Sequence, residues 1–192
     1  MTARTICWTP IWHEDRQLPG FQTQGMEHLL LREGAADSML LAYDEDGRPF
    51  RLGYKLRWDA DWCLRDAELT VADDAGTRHL TLHSDGKGHW RGGDNEVLPK
   101  LDGCFDIDIW PTPFTNTFPI RRAGLAVGER RIFTMAYVLA PALTVQPASQ
   151  AYTRLEAQLY LYEGIDSDFR AELPVDEDGV VLDYQGLFRR LI

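Results

Sequence analysis

The chain reads as an all-β, mainly antiparallel protein, a curved sheet or open β-barrel of about a dozen strands with one or two short helices. Three observations predict this class. Short apolar runs alternate with polar residues at period two, most cleanly in Phe50, Leu52, Tyr54, Leu56 and Trp58 against Arg51, Gly53, Lys55 and Arg57. Turn signals follow one another closely: Asp44-Glu45-Asp46-Gly47, Asp73-Asp74-Ala75-Gly76 and Asp85-Gly86-Lys87-Gly88. Finally, no stretch keeps a helical period beyond about three turns. At 192 residues, one domain over 1–192 is expected. A chain of that size buries roughly 70% of its unfolded surface and needs neither disulfide nor metal to fold.

Residues 4–12 are apolar and β-prone, with Trp8 and Trp12 on one strand face and Pro10 marking an edge or bulge. Residues 13–24 read as a polar connection containing Pro19-Gly20. Strands are expected at 26–32 and 38–43, joined through 33–37, and then at 50–58. A hairpin of 64–72 and 78–84 follows, then short strands at 89–91 and 97–101. Further strands are expected at 131–139, 143–146, 158–162, 171–175 and 180–184, and 186–192 reads as a short helix or a last docked strand.

The stretch 103–122 organises the rest. Phe105, Ile107 and Ile109 alternate with Asp106 and Asp108, the mark of a strand with one buried and one polar face. Pro111, Pro113 and Pro119 then exclude a continuous helix or central strand, so an irregular segment carrying Trp110, Phe114, Phe118 and Ile120 must bury them as an interior plug or a pocket wall.

A formal charge of −10 argues against nucleic acid or an anionic membrane as partner, because either wants a basic face. Cys7, Cys63 and Cys104 are odd in number and far apart, which suggests neither a disulfide framework nor a zinc site. No apolar run matches a secretory signal or a membrane span, so a cytoplasmic setting is expected. His79 and His83, four apart on a strand, stand about 13 Å apart and cannot share an ion held at about 2.1 Å from each. No metal or cofactor is expected.

Asp106 and Asp108 project to one face about 6.8 Å apart, a spacing that suits two carboxylates flanking a glycosidic bond and equally suits an ion pair with Arg121 or Arg122. Asn116 is placed to cap a turn. No nucleophile elbow, phosphate loop, dinucleotide fingerprint or zincin helix is present.

The string from Gly103-Cys104 through Asp106, Asp108 and Thr112-Pro113-Phe114-Thr115-Asn116-Thr117 to Pro119-Ile120-Arg121-Arg122 resembles the bacterial putative glycolipid-binding family. Tyr54, Leu56-Arg57-Trp58-Asp59-Ala60 and Trp62 before it belong to the same resemblance, as do Gln150, Tyr152-Thr153-Arg154-Leu155, Tyr184 and Gly186-Leu187-Phe188 after it. The match runs over nearly the whole chain. It implies a curved antiparallel sheet around an apolar cavity, similar to periplasmic lipoprotein-localisation factors and lipid-carrying lipoproteins. Arg57, Arg121, Arg122 and Arg154 lie in these segments close to Trp58, Trp62, Trp110, Phe114 and Tyr152. An apolar cleft with arginines at its mouth suits a lipid with an acidic head or a sugar stacked on aromatics. The other reading fills the core with the aromatics and pairs the arginines with Asp59, Asp61, Asp106 or Asp108.

The sequence thus favours a non-enzymatic binder of a glycolipid or other hydrophobic or amphipathic small molecule, with Arg57, Trp58, Trp110, Phe114, Asn116, Arg121, Arg122, Tyr152 and Arg154 as ligand-binding candidates. The alternatives are a hydrolase of glycosyl or acyl substrates using Asp106 and Asp108, and a protein-interaction module with a solid interior.

Overall fold

The computed structural model describes residues 3–12 and 25–192, so the expected polar connection at 13–24 lies outside the described residues. In chain order the strands are β1 (Arg4–Pro10), β2 (Met26–Arg32), β3 (Ala35–Tyr43), β4 (Pro49–Trp58), β5 (Leu64–Asp73), β6 (Gly76–Ser84), β7 (Trp90–Gly92) and β8 (Asp106–Trp110). A helix, α1 (Thr117–Ala123), comes next. It is followed by β9 (Arg130–Leu139), β10 (Thr144–Glu156), β11 (Leu159–Gly164), β12 (Arg170–Pro174), β13 (Asp183–Tyr184) and β14 (Phe188–Arg190).

β1 to β7 form an antiparallel meander, and β14 then β13 extend it beyond β1. The result is a nine-stranded sheet curled into a half-barrel. The second sheet has five strands in the order β12-β11-β10-β9-β8. Period-two patterning decides which face is inside: on β4, Phe50, Leu52, Tyr54, Leu56 and Trp58 are buried while Arg51, Lys55 and Arg57 are exposed.

Two buried indoles tie the sheets together at their edges. Trp8 of β1 donates from Nε1 to the Val181 carbonyl at 3.0 Å, in the link from β12 to β13. Trp90 of β7 donates to the Cys104 carbonyl at 2.7 Å, just before β8. Each ring fills core volume while its one polar atom is satisfied, which is the condition for burying tryptophan without penalty.

The structure differs from the sequence expectation in five places. The proline-rich insert is helical in part: a 3-10 turn at Phe114–Asn116 leads into α1. Pro119 is the third helical residue, where the N–H it lacks has no intrahelical acceptor, so the ring is tolerated. α1 stops at Gly124, whose φ of 53° is the left-handed cap that glycine adopts freely.

β8 pairs with β9 in parallel, Asp108 opposite Tyr137, while the other strand pairs are antiparallel; the crossover through 111–129 and α1 is what parallel pairing requires. On β8 the polar face is not a solvated one: Asp106 is fully buried, whereas Phe105 is 42% exposed. β10 runs unbroken through Pro147, because its pairing with β11 begins only at Gln150, opposite Gly164, and there is no ladder on that side of Pro147 to break. Residues 97–101 give one isolated bridge at Val97 and a 3-10 turn at Pro99–Leu101 instead of a strand. The C-terminus docks as β14, one of the two forms expected of it.

Inside the half-barrel the insert acts as a plug. Trp58 stacks on Trp62 with centroids 5.0 Å apart, and Phe118 meets both edge-on at 5.4 and 5.9 Å. Phe114 joins them at 6.0 Å from Trp58 and 5.9 Å from Phe118. Burying aromatics of this size dominates local stability, and each edge-to-face pair adds about 1 kcal/mol.

Candidate functional site

On the other side of the insert, toward the five-stranded sheet, the interior is open. A cleft of about 560 Å³ lies there. β8 contributes Asp108 and Trp110, which share a face because they are two residues apart. The insert supplies Thr112 and Asn116, β9 and β10 supply Tyr137 and Gln150, and β11 and β13 supply Tyr162 and Tyr184. Phe169 and Phe188 complete the aromatic wall. Tyr162 is 6.0 Å from Tyr184 and 5.9 Å from Phe169, ring centroid to centroid.

The polar floor is a chain of hydrogen bonds. Asp108 accepts from Thr115 Oγ1 at 3.0 Å and from Gln150 Nε2. Thr115 Oγ1 in turn accepts from the Ile109 amide at 3.1 Å. The Tyr152 hydroxyl donates to Asn116 Oδ1 at 2.7 Å, and Asn116 Nδ2 donates to the Pro113 carbonyl at 3.1 Å. Asn116 thus holds the turn shape of the insert while facing the cleft.

Burial raises the Asp108 carboxyl above the usual range, against the opposing bonds from Gln150 and Thr115. Burial, then the charge of Asp108, pushes Tyr137 up to about 12. The same two causes are at work on Tyr162, which is also raised. Tyr184 is raised too, by burial first. These phenols therefore stay neutral donors at physiological pH. Among the described residues lining the cleft there is no Lys, Arg or His, while Glu45, Asp108 and Asp166 are all acidic.

Of the residues singled out in the sequence, Trp110 and Asn116 line this cleft and Tyr152 lies directly beneath Asn116. Trp58 and Phe114 belong to the packed plug. Arg57 points outward from β4. Arg121 sits over the Trp62 ring at 5.2 Å and, with Arg154, borders a separate depression of about 440 Å³. Arg154 donates to the carbonyls of Leu125, Glu156 and Ala157. Arg122 grips Asp106 with two bonds, at 2.9 and 2.5 Å. None of the four arginines lines the cleft, and of the two aspartates only Asp108 does.

Sequence reading did not single out Tyr137, Tyr162 or Gln150 as site residues. They come together only through register, Tyr137 opposite Gln146 and Asp108, Tyr152 opposite Tyr162. Among the described residues no three of His, Cys, Asp and Glu converge to hold a metal ion.

A second polar feature was also unforeseen. Glu27 of β2 is fully buried and its Oε1 accepts from Ser38 at 2.9 Å, Tyr54 at 2.5 Å and Thr112 at 2.8 Å, while Oε2 has no partner. Burial pushes this carboxyl up to about 7, the three hydroxyls opposing it. Thr112 Oγ1 also accepts from the Phe114 amide at 3.1 Å, so the cluster pins the start of the insert to the large sheet. The signal in the sequence was a lone Glu on an apolar strand face, opposite Leu40.

Fold and cleft together define an all-β protein in which a half-barrel sheet, plugged on one side by a helical insert, keeps an aromatic cleft on the other. The chain belongs to a family described as "Putative glycolipid-binding", whose model matches residues 16–190. It is similar to a DUF1089 family protein from Pseudomonas aeruginosa whose crystal structure was solved at 1.80 Å resolution, at 54% identity over 91% of this chain and 96% of that one, with a TM-score of 0.87. No curated protein matches the chain.

Proposed function

We propose that this chain binds an amphipathic small molecule with a sugar-like, hydroxylated head, held in the cleft between the insert and the five-stranded sheet. One observation carries the reading: a 560 Å³ space in which aromatic walls meet a short row of fixed polar groups, Asp108, Asn116 and Gln150. Small-molecule sites occupy about 300–1,000 Å³ and combine mostly apolar lining with a few placed hydrogen-bonding groups, as this one does. The family description supports a binding role. We also infer a cytoplasmic setting, supported by three cysteines that are all unpaired. Among the described residues no helix is long and apolar enough to cross a membrane.

The test uses an alkyl glycoside below its micelle-forming concentration, followed by tryptophan emission and by native mass spectrometry. Saturable binding is expected, with most of the emission change lost in Trp110→Phe. Purified protein that carries no ligand and takes up no alkyl glycoside overturns the reading.

A further inference from the structure

We propose that the head group this cleft selects carries an ammonium charge, as an amino sugar or a quaternary amine does. The inference rests on the binding reading above and names its ligand class. It starts from how the chain treats its other shielded aspartates. Asp106 is gripped by Arg122, and Asp176 is paired with Arg4 and Arg190 at 2.9 and 2.8 Å. Asp108 differs: the side chains that hydrogen-bond to it, Thr115 and Gln150, are neutral, and no Lys, Arg or His among the described residues lines the space it faces. A carboxylate taken out of water without a counter-charge is costly, and a cation arriving with the ligand removes that cost.

The surroundings fit the same partner. Trp110, Tyr137, Tyr162 and Phe169 border the space, and aromatic rings attract an ammonium group through their quadrupoles. Tyr184 also borders the space, and among the described residues its hydroxyl has no hydrogen-bond partner, so an oxygen stands ready to accept from an N–H or pair with a sugar hydroxyl. A phosphate or sulfate head meets the opposite situation, since it brings a like charge to Asp108 and finds no base to receive it.

Four amphiphiles with the same decyl chain separate the possibilities: decyl glucoside, decyl glucosaminide with a free amine, decyltrimethylammonium and decyl sulfate, each titrated calorimetrically below its micelle-forming concentration. The ammonium compounds are expected to bind about tenfold more tightly than the glucoside, with the sulfate weakest. The glucosaminide exceeding decyltrimethylammonium identifies an amino sugar as the source of the charge, and the reverse identifies a quaternary amine. Asp108→Asn should bring the ratio of ammonium to glucoside affinity close to one. Asp94→Asn, an equal change of charge at an exposed position, should leave that ratio intact. A glucoside that binds as tightly as its aminated counterpart overturns the ammonium assignment and leaves the cleft-binding reading standing. A ratio that survives Asp108→Asn overturns it as well, by tracing the preference to the overall charge of −10. Failure of all four to bind removes both.

Discussion

On one side of the insert, Trp58, Trp62, Phe114 and Phe118 meet ring against ring; on the other, Trp110, Tyr137, Tyr162 and Tyr184 border an open cleft. Both regions are rich in aromatic residues, and the difference between them is the phenol oxygen. A tryptophan or phenylalanine cluster closes up because it has little polar surface to satisfy. A phenol buried without a partner forfeits its hydration, a loss of about 1–3 kcal/mol. The tyrosines packed most deeply conform to this rule: Tyr54 donates to Glu27 and Tyr152 to Asn116. Tyr137, Tyr162 and Tyr184 have no such acceptor among the described residues and keep to the edge of the space. Ring chemistry thus sorts the interior into a half that holds the fold together and a half that stays available to a ligand.

The sharpest way to break this contrast is to cut the same kind of ring from each side. Phe118→Ala should cost about 3–5 kcal/mol, read from the urea midpoint, because the packed plug cannot collapse around the void. Trp110→Ala, on the cleft side, should cost markedly less. Equal losses would show that the two halves are packed alike. Arg122→Met comes next, at about 3 kcal/mol, since it leaves Asp106 buried and unpaired. Adding Asp106→Asn should recover much of that loss, and a double variant as unstable as the single one would mean that Arg122 acts through packing instead.

The sheet was legible in the sequence, and the division of its interior into a packed and an open half was not. Alternation on 50–58 identified the sheet and its buried face, while the aromatic, proline-rich insert read equally as an interior plug or a pocket wall, because period two and missing N–H groups are local properties and packing is not. The cleft is assembled from β8, β9, β10, β11 and β13, and its tyrosines lie many residues apart with no shared motif. Only pairing register and the parallel crossover bring Tyr137 beside Asp108. The arginines misled for a physical reason: their position within the matching segments said nothing about which way the chain would face them, and Arg57 falls on the outward parity of β4. Asp106 and Asp108 look equivalent in sequence and separate only when Arg122, at the end of α1, reaches one of them.

Glu27 offers a test through pH. Its folded value of about 7 stands above the ordinary 4.5 because burial favours the proton. Between these values the folded chain holds a proton that the unfolded chain has released, so the contribution of this residue is complete below pH 4.5 and declines as pH rises through 7. The loss amounts to about 3 kcal/mol at 1.36 kcal/mol per pH unit. Glu27→Gln keeps the shape without the titration. The difference in unfolding free energy between wild type and variant should therefore slope downward from pH 4.5 to 7, and a flat difference would show that the Ser38, Tyr54 and Thr112 hydroxyls hold Glu27 ionised throughout.

The smallest effect is the most diagnostic of the open half. Tyr162→Phe removes a hydroxyl that has no partner among the described residues, so the unfolding free energy should move by no more than about 0.5 kcal/mol. The same change in a packed position, Tyr152→Phe, strands Asn116 Oδ1 and should cost about 1–3 kcal/mol. Affinity for an alkyl glycoside should fall several-fold in Tyr162→Phe, because the lost oxygen faces the ligand. A variant that loses stability and keeps its affinity would place the Tyr162 hydroxyl in the scaffold, and the division of the interior by phenol chemistry would then have to be redrawn.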